Sequence, residues 1–341
     1  MNPRSVEAAA PARIDLAGGT MDIWPLNLMF PSATTVNMAV NVMARATVSQ
    51  GSGGKVLIIS HDQRAQVSFP SMGAIHHNHK LGLVSRLADF FLESNEGVTI
   101  TTRCDAPAGS GLGGSSALNI ALCRALAMYT GRRMTKAAIL DIAKDVEAAH
   151  LGIPTGLQDY LAALYGGANV FSFPPGGVEG EKIPASVATD LERRISLFYS
   201  GAARSSGINN WQMFRLVMEK EKRAMRLFGR IADCASRAGA ALLAGDMEGF
   251  EAAVKNEWRA RRQLFPGIST PAIDGAITAG KKAGARTARI CGAGGGGCFF
   301  MISAPEDRDG VVQAVENTGA RIMKYRLARA ASATNATDID A

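Results

Sequence analysis

Apolar and polar positions along the chain change period repeatedly, and the changes predict a mixed order of strands and helices. Residues 12–17 (ARIDLA) alternate as a half-buried strand does. TTVNMAVNVMARATVS, KVLIIS and AQVSF predict further strands, as does the β-branched run at 98–104 (VTITTRC). Residues 81–94 read as a helix. ALNIALCRALAMY is apolar on nearly every face, which predicts a buried helix, with Ser115 and Ser116 at its start and Gly131 at its end. Residues 136–149 predict an amphipathic helix. After a break at 152–156 a short helix begins near Leu157.

Beyond GGANVFSF, the Pro- and Gly-rich segment PPGGVEGEKIP is the best boundary in the chain. Residues 195–200 (ISLFYS) predict a strand, and 208–265 are helical with a break at Ala244-Gly245-Asp246. A helix at 271–283, strands at 286–291 and 298–303, a helix at 307–317 and a strand at 321–327 follow. With 341 residues the chain has room for two domains, expected at 1–175 and 190–328, and the small polar residues 329–341 are expected to fray.

Composition sharpens this where it concerns glycine. The chain holds 37 glycines, more than is usual, and 11 of them sit in three short loops: 18–19 after the first strand, 109–114 before the buried helix, and 292–297 between two strands. The net charge of +7 suits an anionic small ligand, and without a dense Lys/Arg run it does not suggest nucleic acid. There is no apolar run long enough for a membrane span and no hydrophobic signal core near the start. Five cysteines without a CxxC pair argue against a disulfide framework and against zinc. A cytoplasmic protein, monomeric or homodimeric, is expected. His76, His77 and His79 read as a solvated loop, Cys291 and Cys298 as packing residues, and the Met/Leu stripe at 211–227 as core.

The central loop carries chemistry. A strand, then glycines, then Ser-Ser at the start of a buried helix places backbone N–H groups and the positive helix end around one point, which is a phosphate cradle. A plain tight turn with a serine cap would look the same. The Gly-Lys-Ser/Thr of a Walker loop is absent, since no Lys occurs between Arg103 and Met134. Gly109-x-Gly111-x-x-Gly114 matches the dinucleotide fingerprint in form, but the first acid after it, Asp141, falls inside a predicted helix rather than at a strand end. Leu140, Ala143 and Glu147 share a helical spacing, so a carboxylate falls on or beside an apolar stripe, where it needs a partner or a metal.

Three motifs, PARIDLAGGTMD, PAGSGLGGSSAL and ICGAGGGGCFFMI, resemble in sequence and order those of the GHMP small-molecule kinases, which include galactokinase and the homoserine, mevalonate and phosphomevalonate kinases. LGIPTGLQDYLAALYGGANVF, FYSGAARSSG and PGISTPAIDGAITAGKKAGA look most like the heptose-phosphate and fucose-type sugar kinases within that family. The resemblance implies an α+β fold of two domains, an N-terminal ribosomal-S5-like α/β domain and a C-terminal ferredoxin-like domain, with the site in the cleft between them.

The resemblance also implies roles. ATP phosphates would lie on Pro107, Gly109, Ser110, Gly111, Leu112, Gly113, Gly114, Ser115 and Ser116. Glu147 would hold Mg²⁺ with Ser115, or with Ser116. Asp159, in a segment resembling G-x-Q-D, would take the proton of the acceptor hydroxyl, and Arg13 would face the transferred phosphoryl group. Asp22 follows Arg13 by nine residues, as a sugar-binding Asp does in galactokinases, yet Gly19-Thr20 stands where those enzymes carry Glu-His. Gly19, Thr20 and Asp22 are expected at the substrate, and so are Gly294 and Gly295 of the third loop, which would close against the phosphates or the acceptor; Arg204, after a predicted strand, reads either as a contact to a substrate phosphate or outer hydroxyls or as a surface arginine in a turn. The implied activity is phosphoryl transfer from ATP to a sugar or sugar phosphate. The alternatives are a kinase for another small alcohol such as mevalonate, and a non-catalytic nucleotide and sugar sensor.

Overall fold

The computed structural model describes residues 4–92, 97–202 and 206–329, for 206–210 the backbone alone. The first sheet grows from β1 (Ser5–Ala17) and β2 (Thr34–Gln50), antiparallel over their whole length with register shifts between Pro11 and Ala12 and between Asp15 and Ala17. β3 (Val56–Ser60) and β4 (Ala65–Phe69) form a hairpin, and β3 runs parallel to β5 (Val98–Cys104). The free edge of β2 is shared: β5 pairs with residues 44–50, and β6 (Ala168–Ser172) with residues 34–38. β7 (Glu179–Lys182) closes that side. This edge strand lies within the segment read as a boundary.

Four helices cover one face: α1 (Gly82–Phe91), α2 (Gly114–Thr130), α3 (Lys136–Leu151) and α4 (Gln158–Tyr165). α2 is central and buries 12 of its 17 residues, which explains why its sequence lacks a polar face. Ser115 and Ser116 lie in its first turn, but neither caps it. Gly113 occupies the N-cap position at φ 71°, without a side-chain hydrogen bond, and the two serine hydroxyls turn elsewhere.

After α5 (Ala185–Arg194), β8 (Ile195–Tyr199) opens a second sheet. Helices α6 (Ser206–Met218), α7 (Lys222–Leu243), α8 (Met247–Arg261) and α9 (Pro271–Lys282) lead to β9 (Thr287–Ile290) and β10 (Cys298–Ile302), and α10 (Arg308–Glu316) to β11 (Arg321–Met323). The order β11-β8-β10-β9, antiparallel throughout, is the ferredoxin-like order with extra helices in its first crossover. The chain then returns to the first sheet, where Leu327 bridges Val40 and Arg329 bridges Gly166. The rest of the tail lies outside the described residues.

One apolar cluster joins the two sheets. Ala235, Ala238 and Leu242 of α7 and Phe250 and Val254 of α8 pack with Ile14, Leu16, Val36 and Met38 of the first sheet and with Leu197, Phe300 and Ile302 of the second. This packing corrects the half-buried reading of 12–17. Every position of β1 from Ala10 to Ala17 is buried, polar ones included, because α2 packs on the strand and α7 and α8 also reach it. Arg13 and Asp15 must then find ionic partners inside the protein.

Candidate active site

A cleft of about 820 Å³ opens beside the end of β1 and the start of α2, lined almost wholly by the first half of the chain and touched by the second at Gly292 and Ala293. Its wall is assembled from the end of β1, the turn at 19–23, the loop at 104–116, Glu147 of α3, Gln158 and Asp159 of α4, and Gly292 and Ala293. Leu112 is the exception within its loop. Its side chain enters the core, and only its backbone serves the site, by accepting the Arg13 N–H at 2.9 Å.

Arg13 is 3% exposed and reaches Asp159 at 2.6 Å, while Asp159 remains 25% exposed toward the cleft. Arg13 Nη1 also donates to the Gly111 carbonyl at 2.5 Å, so one guanidinium ties the glycine loop to the α4 carboxylate. Burial opposes the cation, but Asp159 and Asp15 outweigh it and raise the Arg13 pKa, so the group stays charged. Gly113 sits against this pair. A Cβ there would lie 2.9 Å from the Asp159 Oδ2, and φ of +71° already disfavours any other residue.

Glu147 is 5% exposed and lies on the buried face of α3 with Ile139 and Ala143. Ser115 Oγ donates to its Oε1 at 2.8 Å, Ser116 Oγ to its Oε2 at 3.2 Å, and the Tyr160 hydroxyl also donates to Oε2. Burial raises the Glu147 pKa despite these donors. A desolvated carboxylate with hydroxyls beside it is an all-oxygen set, suited to a hard divalent cation, so these residues fit Mg²⁺. Both serines touch Glu147, so the geometry serves either one.

Asp22 is 2% exposed and lies under the turn after β1. Its Oδ2 accepts the Gln158 N–H at 2.8 Å and its Oδ1 the Thr20 N–H at 3.1 Å. Burial pushes its pKa up to about 6, and the carboxylates of Asp159 and Asp15 add to the rise. Gly19 and Thr20 line the same part of the cleft.

The third glycine loop lies differently from expectation. Gly294 and Gly295 face Ile268, whose carbonyl accepts the Gly295 N–H at 2.8 Å, and Gly292 and Ala293 reach the cleft instead. Gly297 packs so closely on the Gly109 and Ser110 carbonyls that a Cβ would sit 2.7 and 2.6 Å from them. The loop thus buttresses the first cradle from behind. Arg204 lies outside the described residues. His77 bonds Ser85 and Asp89, and no metal-ligand cluster of His, Cys, Asp or Glu occurs among the described residues. Two participants escape sequence reasoning, Tyr160 and Arg261, whose Nη2 donates to the Gly19 carbonyl at 2.6 Å, and Gln158 stands in the G-x-Q-D segment without an assigned role. Tyr160 follows Asp159 directly, yet nothing in its spacing marks it.

A glycine loop at a helix start, a buried carboxylate beside two serine hydroxyls and an Arg–carboxylate pair in one cleft are the parts that a small-molecule phosphotransferase needs. Comparison with known proteins agrees: the profile for the GHMP kinases N terminal domain matches residues 82–167, and that for GHMP kinases C terminal matches residues 238–321. The chain belongs to the GHMP kinase family. It is 25% identical over 336 residues to D-glycero-alpha-D-manno-heptose 7-phosphate kinase of Campylobacter jejuni, covering 96% of this chain and 97% of that one. It is 23% identical to mevalonate kinase of Thermococcus sibiricus, over 95% of this chain and 96% of that one. The solved structure of a D-glycero-D-manno-heptose 1-phosphate kinase from Bacteroides thetaiotaomicron shares the fold at a TM-score of 0.78 and 24% identity, covering 96% of this chain and 97% of that one. Members of the family use ATP with Mg²⁺. No helix among the described residues is long and apolar enough to cross a membrane.

Proposed function

We propose that this chain transfers the γ-phosphoryl group of ATP to a hydroxyl of a sugar or sugar phosphate, of heptose-phosphate or hexose type. The observation that carries the reading is the Arg13–Asp159 pair, held at 2.6 Å beside the glycine loop and open to the cleft. Phosphoryl transfer asks for positioning and charge stabilisation more than for covalent chemistry. Residues 109–116 cradle the nucleotide phosphates at the start of α2. Glu147 with Ser115 or Ser116 would hold Mg²⁺, which when bound neutralises phosphate charge. Asp159 accepts the proton of the acceptor hydroxyl as its oxygen attacks phosphorus. Arg13 fixes that carboxylate and offsets charge developing on the transferred group.

Asp22 favours a polyhydroxy acceptor over mevalonate. Both its oxygens are set by backbone N–H groups, and their remaining lone pairs suit sugar hydroxyl donors. The carboxylate of mevalonate would meet Asp22 and Asp159 as like charges, and the cation beside them, Arg13, is already paired with Asp159. The test is ADP release with heptoses, heptose phosphates, hexoses, hexose phosphates and mevalonate. Turnover with a sugar or sugar phosphate is expected. Turnover with mevalonate alone refutes the acceptor class, and tight ATP binding without turnover of any acceptor favours a sensor.

A further inference from the structure

Behind the turn that carries Gly19 and Thr20 runs a chain of four buried charges from three separate elements. Asp15 of β1 meets Arg289 of β9 at 3.0 Å. Arg289 meets Glu257 of α8 at 2.8 Å, and Glu257 meets Arg261, one helical turn further on, at 2.6 Å. All four are at most 1% exposed, and their charges cancel. Arg289 also donates to the Asp15 carbonyl at 2.5 Å, two residues from Arg13 on the same strand. The chain ends on the cleft wall, where Arg261 Nη2 donates to the Gly19 carbonyl at 2.6 Å and Nη1 to Thr20 Oγ1 at 3.5 Å. Thr20 holds φ of +86°, a conformation a β-branched residue adopts only when its surroundings impose it.

A buried ion chain is weak evidence for stability, because apolar side chains of like volume fill such a space as well; its best-attested use is to fix register. Burial works against the charge on Glu257, yet Arg261 and Arg289 hold its pKa down to about 2, so the chain stays ionised across the working pH range. We propose that Arg261 is a positioning residue of the second domain, which, locked by Glu257, Arg289 and Asp15, holds the Gly19–Thr20 turn in the shape that receives the acceptor. This rests on the proposed reading of that turn as the acceptor side. The nucleotide half, built on residues 109–116 and Glu147, has no bond from Arg261 and stays indifferent to it.

The experiment uses Arg261→Lys and Arg261→Met in the full chain. Lysine keeps the charge but loses the fork that serves Glu257, Gly19 and Thr20 together. With the best acceptor from the panel, KM for the acceptor should rise about tenfold or more in both variants, the scale of one lost charge-assisted hydrogen bond. The dissociation constant of ATP should stay within about twofold. Hydrogen exchange should quicken at the amides of 19–22 and not at 113–116. Unchanged exchange at 19–22, an acceptor KM like wild type, or ATP affinity weakening in step overturns the proposal. If neither variant folds, the chain serves stability and the proposal fails. If wild type turns over no acceptor, the functional reading fails, and hydrogen exchange still decides whether Arg261 holds the turn.

Discussion

Gly113→Ala isolates the contact on which the account of the site depends. Gly113 stands at φ +71°, where a Cβ costs roughly 1–2 kcal/mol in backbone energy alone. The added Cβ would also meet Asp159 Oδ2 at 2.9 Å, while ordinary contact begins at 3.4 Å, so the carboxylate or the loop must retreat by about 0.5 Å. The same carboxylate is held by Arg13 at 2.6 Å, so the retreat comes out of that bond or out of the aim of Asp159 at the acceptor. Since a misplacement of about 1 Å costs on the order of 10²-fold, half of it predicts a fall in kcat of about tenfold. Gly131, at the other end of α2, supplies the control. Its φ is +73°, and a Cβ there meets nothing within 4 Å. Gly131→Ala should lose the same roughly 1–2 kcal/mol, read by urea unfolding, with kcat unchanged. A Gly113→Ala enzyme with wild-type kcat, or a Gly131→Ala enzyme equally impaired, would refute the reasoning.

Asp159→Asn keeps the shape but cannot accept the proton, and kcat should fall about 10²-fold or more; an unchanged kcat removes the base from the scheme. Glu147→Gln should shift the Mg²⁺ titration of activity to higher concentration, and an unaltered titration sinks the metal assignment. Asp22, with its pKa near 6, is ionised above that pH, so acceptor KM should rise as pH falls through about 6; a KM flat from pH 5 to 8 contradicts its role. Its raised pKa also means that ionisation works against the folded state. Relative to Asp22→Asn, wild type should therefore lose stability as pH rises from about 4 through 6, by up to about 3 kcal/mol, and a gap constant across that range contradicts the shift.

What the sequence reveals follows from how local each signal is. β5 is legible at 98–104 because its β-branched run is bounded by glycine before and proline after, and α2 because its apolar composition and Gly131 mark it without tertiary help. α5 and β7 are not legible. α5 buries only Ala188 and Leu191 among ten residues, too small an apolar stripe to stand out, and all four residues of β7 are exposed, so that strand has no apolar period to read. In the site, Glu147 stands out as a carboxylate on or beside an apolar helical stripe, and Arg13 and Asp159 by the motifs they sit in. The Glu257–Arg261 pair does not, because its i, i+4 spacing reads like a surface pair on a helix. Its burial depends on β1 and β9 docking from 274 residues apart, which no local pattern encodes. The serines were legible as residues of a helix start, but their turn toward Glu147, 32 and 31 residues on, needs α2 and α3 side by side.

The most direct measurement of the central claim follows the label of γ-³²P-ATP into the acceptor, with wild type and Asp159→Asn side by side. The account predicts that wild type moves the label onto a hydroxyl of a sugar or sugar phosphate and that Asp159→Asn does so about 10²-fold more slowly. Label released only as inorganic phosphate with every sugar offered, or carried to a sugar at equal rates by both enzymes, would contradict it.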